Sequence, residues 1–383
     1  MPTLDNLRDE IDRIDPQLAA LICERMDVSR SVAEYKTKSD LPIAHLDRED
    51  AIIRKFLSRF SEETVDYVES VYKTLIRTSR AYQYRYQVQN GLTSPMIDQL
   101  NTAPKSISIK KVCHQGVAGA WSHLAAKQMY PNTEIFSVTT FEDIFVAINE
   151  GRADVGVLPL DNTTAGTVDD VYDLLIRHDC MIQTAEPYPI RHCLVGIEGA
   201  NKDTVKTVFS HPQGLAQCSN YIRTHGYQSI PECNTAVAAK QISQLNNPQY
   251  AAIASAETAR LYGLKVLDEL INDSDCNQTR FVSISKNCVV SDDANRIALA
   301  FRLPNQSGSL ANALGHFADH KINLLKISSR PIPNQPWEYS FYVDCAIDGL
   351  TDSLYGLLRQ LDSELTWVKL LGCYSEKTFE TEK

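Results

Sequence analysis

Residues 4–36 read LDNLRDEIDRIDPQLAALICERMDVSRSVAEYK, and this stretch decides the fold of the N-terminal region. Its apolar residues recur three or four positions apart, which predicts one long helix with a heptad seam. Arg25 occupies the one seam position that is not apolar, and a guanidinium facing a helical interior needs an anionic partner. Pro16 removes a backbone donor, so the helix should kink there or restart with Asp15 as its cap. The seam consists of Leu4, Leu7, Ile11, Ile14, Leu18, Leu21, Val28, Val32 and Tyr35.

Two further cations, Arg8 and Lys36, flank the same seam. At about 1.5 Å of rise per residue, Arg8 lies roughly 25 Å from Arg25, too far for both to bind one small ligand. We therefore infer that an antiparallel second copy donates its Arg8 to a site that holds Arg25 and Lys36. Alternatively, these cations are ordinary solvated charges on a helix face.

Polar residues also interrupt the apolar faces of two shorter predicted helices. Glu49, which follows a predicted cap at Asp47, lies on one apolar face, and Ser79 and Gln83 lie four residues apart on another. Each alone could be a satisfied core group. Together with the cations, they indicate a pocket for a small dianion that also carries a hydroxyl group.

This region resembles the helical chorismate mutase domain of the bifunctional chorismate mutase and prephenate dehydratase family. The resemblance implies three helices in an intertwined dimer, and a rearrangement that needs a folded substrate and donors to its ether oxygen. Lys36 and Gln83 are the expected catalytic donors, while His45 stands where the family usually has aspartate. The matching segments are Leu7-Arg8 with Ile11, Glu24-Arg25, Lys36, Asp47-Arg48-Glu49, and Ser79 with Gln83. The implied chorismate site takes Arg8 from one subunit and, from the other, Arg25, Lys36, Arg48, Glu49, Ser79 and Gln83.

The pattern changes after a polar segment, residues 91–108, which is expected to be an irregular linker. Short β-rich runs then alternate with helical stretches, which predicts two α/β lobes with a ligand cleft between them. The predicted domains are 1–90, 109–288 and 294–376. The predicted strands include 110–113, 134–138, 153–158, 205–210, 251–254 and 281–285, and the predicted helices include 141–149, 168–177 and 235–245 with another from about 213.

Hydroxyl and amide side chains collect where predicted strands meet helices. Residues 159–167 (PLDNTTAGT), 210–213 (SHPQ) and 234–235 (NT) each precede a helix, whose first N–H groups attract an anion. Residues 279–281 (TRF) place a hydroxyl beside a cation. Any one of these could be an ordinary capping loop, but three that face one cleft indicate an acidic small molecule.

These stretches resemble the prephenate dehydratase domain. The resemblance implies that Thr279 is catalytic and that no metal or organic cofactor is needed. Asp161 replaces the usual glutamate, and Cys233 and Asn234 replace serines. The matching segments are 119–123 (GAWSH), Asn162 with Gly166, 170–175 (DVYDLL), 211–213 (HPQ), 261–263 (LYG) and 279–281 (TRF). The expected prephenate-binding residues are Asn162, Ser210, Gln213, Gln217, Thr235 and Arg280.

From residue 295 to about 374 the predicted order is strand, helix, strand, strand, helix, strand, which is a ferredoxin-like arrangement. The helices are expected at 309–320 and 352–361. The segment resembles the ACT domain that binds phenylalanine in this family, although Ser328 and Ala311 depart from its pattern. A dimerisation module without ligand is the alternative. The matching motifs are Gly308-Ser309-Leu310 and Ser329-Arg330-Pro331, and the expected effector-binding residues are Gly308, Ser309, Leu310 and Arg330.

The composition of the chain limits the kinds of molecule that it is expected to bind. A formal net charge of −10 argues against nucleic acid or an anionic membrane. No apolar run approaches about 18 residues and the first ten residues are charged, so neither a membrane span nor a signal peptide is expected. His316 and His320 are four apart but lack a third metal ligand, and the ten cysteines show no C-x-x-C pair, so reduced thiols in a cytoplasm are expected.

The combined expectation is a cytoplasmic homodimer or higher homo-oligomer that converts chorismate through prephenate to phenylpyruvate and is inhibited by L-phenylalanine. Two alternatives stay open. The α/β region could be a carboxylate-binding sensor without turnover. The helical lobe could serve only dimerisation.

Overall fold

A computed structural model describes residues 2–57, 60–61, 63–332 and 335–377. The chain forms two compact units. Unit 1 comprises Met1–Thr102 and Leu299–Lys369, and unit 2 comprises Ala103–Ala298 and Leu370–Lys383.

The described residues contain helices and strands in the following order. The helices are α1 (Leu4–Lys38), α2 (Leu46–Leu57), α3 (Val65–Gln89), α4 (Pro95–Thr102), α5 (Trp121–Met129), α6 (Phe141–Asn149), α7 (Asp169–Arg177), α8 (Pro212–Gln217), α9 (Ser219–His225), α10 (Thr235–Leu245), α11 (Ala256–Leu261), α12 (Ser309–Asp319) and α13 (Asp352–Glu364). The strands are β1 (Lys111–Gln115), β2 (Glu134–Val138), β3 (Val155–Asn162), β4 (Gly166–Thr167), β5 (Met181–Pro189), β6 (Cys193–Gly196), β7 (Thr207–Ser210), β8 (Gln228–Pro231), β9 (Tyr250–Ala254), β10 (Lys265–Asp268), β11 (Gln278–Ser285), β12 (Arg296–Arg302), β13 (Asn323–Pro331), β14 (Tyr339–Ala346) and β15 (Val368–Glu376).

Helices α1, α2 and α3 form the helical lobe of unit 1, as the periodicity predicts. Helix α1 begins after the Thr3 cap and runs through Pro16 without interruption, so the predicted restart at Asp15 is wrong. Helix α2 begins at Leu46, which places Asp47 in its first turn rather than at its cap. The carbonyl of His45 instead accepts a hydrogen bond of 3.0 Å from the Glu49 N–H.

The segment expected to be irregular contains helix α4. Its apolar residues Met96, Ile97 and Leu100 are buried, and their i, i+1, i+4 spacing gives the helix one packed face. The prediction of an irregular conformation was wrong for these eight residues. Pro95 stands at the first helical position, where its missing N–H costs little.

The remainder of unit 1 packs two C-terminal helices against α3. The element order β12, α12, β13, β14, α13, β15 matches the predicted order. A Cβ atom on Gly356 of α13 would lie 2.8 Å from His320 Cε1 and 3.3 Å from Arg85 Cα. A Cβ atom on Gly315 of α12 would lie 2.4 Å from the Arg77 guanidinium carbon. The backbone of α3 therefore lies close to α13 at Gly356, whereas at Gly315 the nearest atoms belong to the flexible end of the Arg77 side chain.

Unit 2 is an α/β structure with two mixed sheets. One sheet contains the strand order β5-β11-β3-β1-β2, and the other has the order β10-β6-β9-β7-β8. Strand β1 pairs in parallel with β2 and β3, whereas β11 pairs antiparallel with β3 and β5. Residues 372–376 of β15 pair in parallel with β5. The predicted bounds of β2, α6 and α10 agree with the structure.

The apolar seam of α1 lies on the surface of the chain. Leu4, Leu21 and Tyr35 are 62%, 63% and 67% exposed, and the rest of the seam is also exposed. An apolar stripe of this length in contact with water is typical of an interface with another chain. Within the described residues, no helix combines the length and apolar character needed to cross a membrane.

Gly156 in β3 tests the packing of the α/β core. A Cβ atom there would lie 2.1 Å from Ile144 Cγ2 and 3.1 Å from Ile148 Cδ1, both in the buried face of α6. We expect Gly156→Ala to destabilise the protein by about 1–3 kcal/mol, because the core must shift to accept a methyl group. Thermal unfolding of the variant measures this loss. Ser137→Ala, at an exposed position of β2, is the control, and an equal midpoint in both variants would contradict the expectation.

Candidate active sites

Unit 2 contains a cavity of about 460 Å³, referred to below as the cleft cavity. Its walls come from the ends of β3 and β11 and from the first residues of α5, α8 and α10. Neither lysine nor arginine is among the described residues that line it. Five predicted site residues line it together: Asn162, Gln213, Gln217, Thr235 and Thr279.

Thr279 and Asn162 face each other across paired strands. The antiparallel register of β11 with β3 makes them direct partners, and Asn162 Nδ2 donates a hydrogen bond of 2.9 Å to Thr279 Oγ1. Asn162 Oδ1 accepts from the backbone N–H groups of Thr164 and Ala165 at 3.0 and 2.9 Å. The amide of Asn162 is therefore fixed by its own loop, and it holds the Thr279 oxygen as an acceptor. The hydroxyl hydrogen of Thr279 can then be donated to a ligand.

His192 belongs to the same network, and the sequence reasoning missed it. Its Nε2 lies 2.9 Å from Gln217 Oε1, and Gln217 Nε2 lies 3.3 Å from Asn162 Oδ1. His192 is 1% exposed, and its Nδ1 has no hydrogen-bond partner among the described residues. Burial lowers the pKa of His192, although the Gln217 hydrogen bond opposes that shift. The feature of the sequence that could have indicated His192 is its position directly before the apolar strand β6.

The structure does not bring Ser210 or Arg280 into the cleft cavity. Ser210 is completely buried, and its hydroxyl donates to the Ile253 carbonyl at 2.8 Å. Arg280 follows Thr279 in the same strand, so its side chain points to the opposite face of the sheet. There its Nε lies 2.7 Å from Glu376 Oε1, and its Nη1 lies 3.5 Å from Asp161 Oδ2. Arg280 and Asp161 therefore form a structural ion pair behind the cavity.

Helix N-termini supply the positive dipoles of the cleft cavity. Asn234 caps α10 by accepting from the Ala236 N–H at 2.8 Å, and Thr235 is the first residue of that helix. His211 caps the short helix α8 through a 3.2 Å bond from the Gln213 N–H to its Nδ1. The first N–H groups of a helix have no partner within it and favour an anionic ligand.

The helical lobe gathers a second group of predicted residues. Arg25 Nη1 donates to the Ser79 hydroxyl and to the Leu75 carbonyl, the latter at 3.2 Å. Gln83 is 7% exposed, and its Oε1 has no partner among the described residues. These contacts join the Arg25 side chain of α1 to Ser79 and Leu75 of α3 inside the lobe.

The outer cations of the helical lobe differ from one another. Lys36 Nζ donates to the Ile43 carbonyl at 2.6 Å. Burial lowers the pKa of Lys36, whereas the nearby Glu49 carboxylate raises it. Arg48 and Arg8 are both exposed. Arg8 Nη1 lies 3.4 Å from Asp5 Oδ1. Arg8 is thus remote from the other predicted residues within one chain, as the helical rise predicts.

Comparisons with known proteins match both regions of the chain. Residues 7–84 match the family model of chorismate mutase type II, and residues 112–289 match that of prephenate dehydratase. A bifunctional chorismate mutase/prephenate dehydratase from Escherichia coli (strain K12) is 30% identical over 377 residues, which cover 96% of this chain and 95% of the relative. The chain belongs to the bifunctional chorismate mutase/prephenate dehydratase family. The predicted helical mutase domain and the predicted α/β dehydratase domain are confirmed.

Solved structures resemble the dehydratase part of the chain. The prephenate dehydratase from Staphylococcus aureus subsp. aureus Mu50 has a TM-score of 0.61 and 26% identity, and the match covers 69% of this chain and 99% of that one. The prephenate dehydratase from Arthrobacter aurescens in complex with L-Phe has a TM-score of 0.65 and 24% identity, with coverage of 69% and 90%. At that identity the second likeness shows a shared fold.

A second, smaller cavity lies in unit 1 and has a volume of about 110 Å³. Ser309 and Leu310 at the start of α12 line it together with Trp337 and Tyr339. Gly308 caps α12 in the left-handed region, at φ 83°, where glycine is favoured. Arg330, the fourth predicted effector residue, is not among the residues that line this cavity.

The buried imidazole of His192 should make stability depend on pH. Because its pKa is lowered in the folded state, the unfolded chain binds a proton that the folded protein does not, as pH falls below about 6.5. Stability should therefore decrease on acidification, and less so in His192→Gln. The measurement is the drop in melting temperature between about pH 7.5 and about pH 5.5. His225→Gln, at an exposed histidine, is the control, and equal drops in the two variants would contradict this role of His192.

Proposed function

We propose that the chain catalyses two successive reactions: the rearrangement of chorismate to prephenate in the helical lobe, and the conversion of prephenate to phenylpyruvate in the cleft cavity. The Thr279–Asn162 hydrogen bond at the wall of that cavity carries the second assignment. The domain limits 1–90, 109–288 and 294–376, and the linker between the first two, are part of the same proposal.

In the dehydratase step, prephenate loses carbon dioxide and its ring hydroxyl. The electrons of the breaking carbon–carbon bond complete the aromatic ring, and the hydroxyl leaves as water once it accepts a proton. Thr279 is placed to donate a hydrogen bond to that hydroxyl, and the donation from Asn162 polarises the threonine O–H. A donor positioned in a cavity that excludes water stabilises the leaving oxygen far more than one in bulk water does.

Recognition of the prephenate carboxylates is assigned to neutral groups. The cleft cavity has the N-terminus of α10 at Thr235 and the amides of Gln213 and Gln217 in its walls. Helix dipoles and amide donors can bind carboxylates without adding a buried cation, whose desolvation would be costly. Ser210 and Arg280 support this wall from outside the cavity rather than bind substrate.

In the mutase step, the helical lobe provides cations where the cleft cavity does not. Arg25 binds one substrate carboxylate through its guanidinium group. Lys36 and Gln83 donate hydrogen bonds to the ether oxygen, which gains negative charge. The exposed seam of α1 is covered by the same helix of a second subunit. In that dimer the second copy supplies Arg8 for the other carboxylate, because Arg8 is too remote within one chain.

The C-terminal part of unit 1 is assigned to an ACT domain that binds L-phenylalanine as an inhibitor. Its element order and the small cavity at Ser309 and Leu310 support the assignment, and the Arthrobacter relative was solved with L-Phe. Ser328 replaces the family's usual glutamate, so affinity can differ from that of relatives. Prephenate turnover measured with and without L-phenylalanine tests this assignment.

Replacement of Thr279 separates catalysis from ligand binding. We expect Thr279→Ala to lower dehydratase kcat by about 100-fold, because the donor to the leaving hydroxyl is lost. Thr279→Ser keeps the hydroxyl and should retain most of the activity. Phenylpyruvate formation from prephenate is the measurement, with chorismate consumption by the same variants as the control for folding. Unchanged turnover in Thr279→Ala would favour the carboxylate sensor instead.

Mixing two inactive variants tests the shared mutase site. Arg8→Ala and Arg25→Ala should each lower mutase kcat/KM by about 100-fold, about 2.7 kcal/mol, because each removes one carboxylate fork. Heterodimers of the two carry one intact site, so an equimolar mixture that exchanges subunits should regain activity in about a quarter of its sites. Arg30→Ala, at an exposed position of α1, is the control. No recovery on mixing would contradict a site built from two chains.

A further inference from the structure

Arg80 of α3 lies between two carboxylates that belong to different helices. Its Nη1 donates to Glu49 Oε2 of α2, and its Nε lies 3.0 Å from Glu364 Oε1 at the end of α13. The side chains of Arg80, Glu49 and Glu364 are 13%, 18% and 8% exposed. Water and salt screen charges at this depth much less than charges at the surface. One guanidinium therefore links the helical lobe to α13 within unit 1.

Glu364 is itself held in place by α12 and α13. Gln360, which is completely buried, donates to Glu364 Oε1 at 3.1 Å. His316 Nε2 lies 3.6 Å from Glu364 Oε2, and burial, with Arg80 nearby, lowers the pKa of His316 to about 3. A neutral imidazole leaves Arg80 to neutralise the carboxylate. Burial raises the pKa of Glu364, and Arg80 opposes that shift.

The backbones around this cluster have little freedom to move. A Cβ atom on Gly356 of α13 would lie 3.3 Å from Arg85 Cα of α3. Close backbone packing makes the position of α3 depend on that of α13. The distance between the backbones of α3 and α13 near Arg80 and Glu364 is thus set by the packing of the two helices.

The Glu49 carboxylate also attracts the Lys36 ammonium. The ion pair between Glu49 and Arg80 therefore affects how strongly Glu49 competes for Lys36. The Glu49 carboxylate raises the pKa of Lys36, so the two charges attract each other. Without Arg80, the Glu49 carboxylate would lose its ion pair and would still attract Lys36. A Lys36 ammonium paired with Glu49 is less available to the substrate ether oxygen.

We propose that Arg80 is a positioning residue of the mutase reaction, and that Glu364 of α13 orients it, so that mutase turnover depends on the C-terminal part of unit 1. The inference rests on the proposed mutase function of the helical lobe. Arg80 acts through Glu49 and does not contact substrate. Its guanidinium fork can hold two carboxylates at once, and a lysine ammonium would do so less well.

The test compares both activities in the full chain. Arg80→Gln should lower mutase kcat/KM by about tenfold, and Glu364→Gln by about threefold because Arg80 still pairs with Glu49. Dehydratase kcat/KM should stay within about twofold in both variants. The double variant should be no worse than Arg80→Gln, because Glu364 acts only through Arg80. Arg80→Lys should recover part of the loss.

The control is Arg77→Gln. Arg77 Nε lies 2.7 Å from Asp319 Oδ2, so this variant also removes a partly buried ion pair between α3 and a C-terminal helix. It leaves Glu49 untouched and should change mutase kcat/KM by less than about twofold.

Three results would overturn the inference. The first is full mutase activity in Arg80→Gln, and the second is equal loss of both activities in Arg80→Gln and Arg77→Gln. The third is a double variant whose loss is the product of the single losses. Failure of the unaltered chain to consume chorismate would contradict the proposed mutase function itself, which separates that failure from the other three.

Discussion

The antiparallel pairing of β3 with β11 is the constraint on which the dehydratase site depends. It places Thr279 directly opposite Asn162, and Phe281, two residues further along β11, faces the same side. A register shift leaves Leu160 as an extra residue in β3, so Pro159 and Asn162 both line the cavity. Side chains alternate between the faces of a strand, so a slip of one residue would bring Arg280 into the cavity and remove Thr279 from it. A bulge next to an active site re-aims side chains in this way. The chemistry of the cleft is therefore determined by strand register.

The two candidate sites offer different groups to an anion. The cleft cavity uses helix N-termini, amides and hydroxyls, and its buried histidine is kept neutral by desolvation. The helical lobe uses Arg25 and Lys36, which are partly exposed and have carbonyl partners before substrate arrives. A deep cavity penalises an unpaired cation, whereas a helical interface near water tolerates one.

Sequence reasoning was most successful where a residue is constrained by its own element. The helix around Arg25, the bounds of α6 and α10, and the β-α-β-β-α-β order all follow from periodicity. Thr279, Asn162 and Gln217 were predicted and do meet at one cavity. His192 was missed, because a single histidine before an apolar strand carries no signal until tertiary packing places Gln217 beside it. The irregular segment was misjudged, because burial of α4 depends on residues that are distant in sequence.

The helical and α/β regions and the identity of the polar groups can be inferred from the sequence alone, since they follow from local periodicity and residue chemistry. Only the tertiary structure decided that Arg280 lies behind the cavity with Glu376, and that Arg80 connects Glu49 to Glu364. In the sequence, Arg80 is 31 positions from Glu49 and 284 positions from Glu364. Which face a strand residue presents, and which distant carboxylate a buried guanidinium meets, depends on how the elements pack, and packing is not encoded in any local pattern.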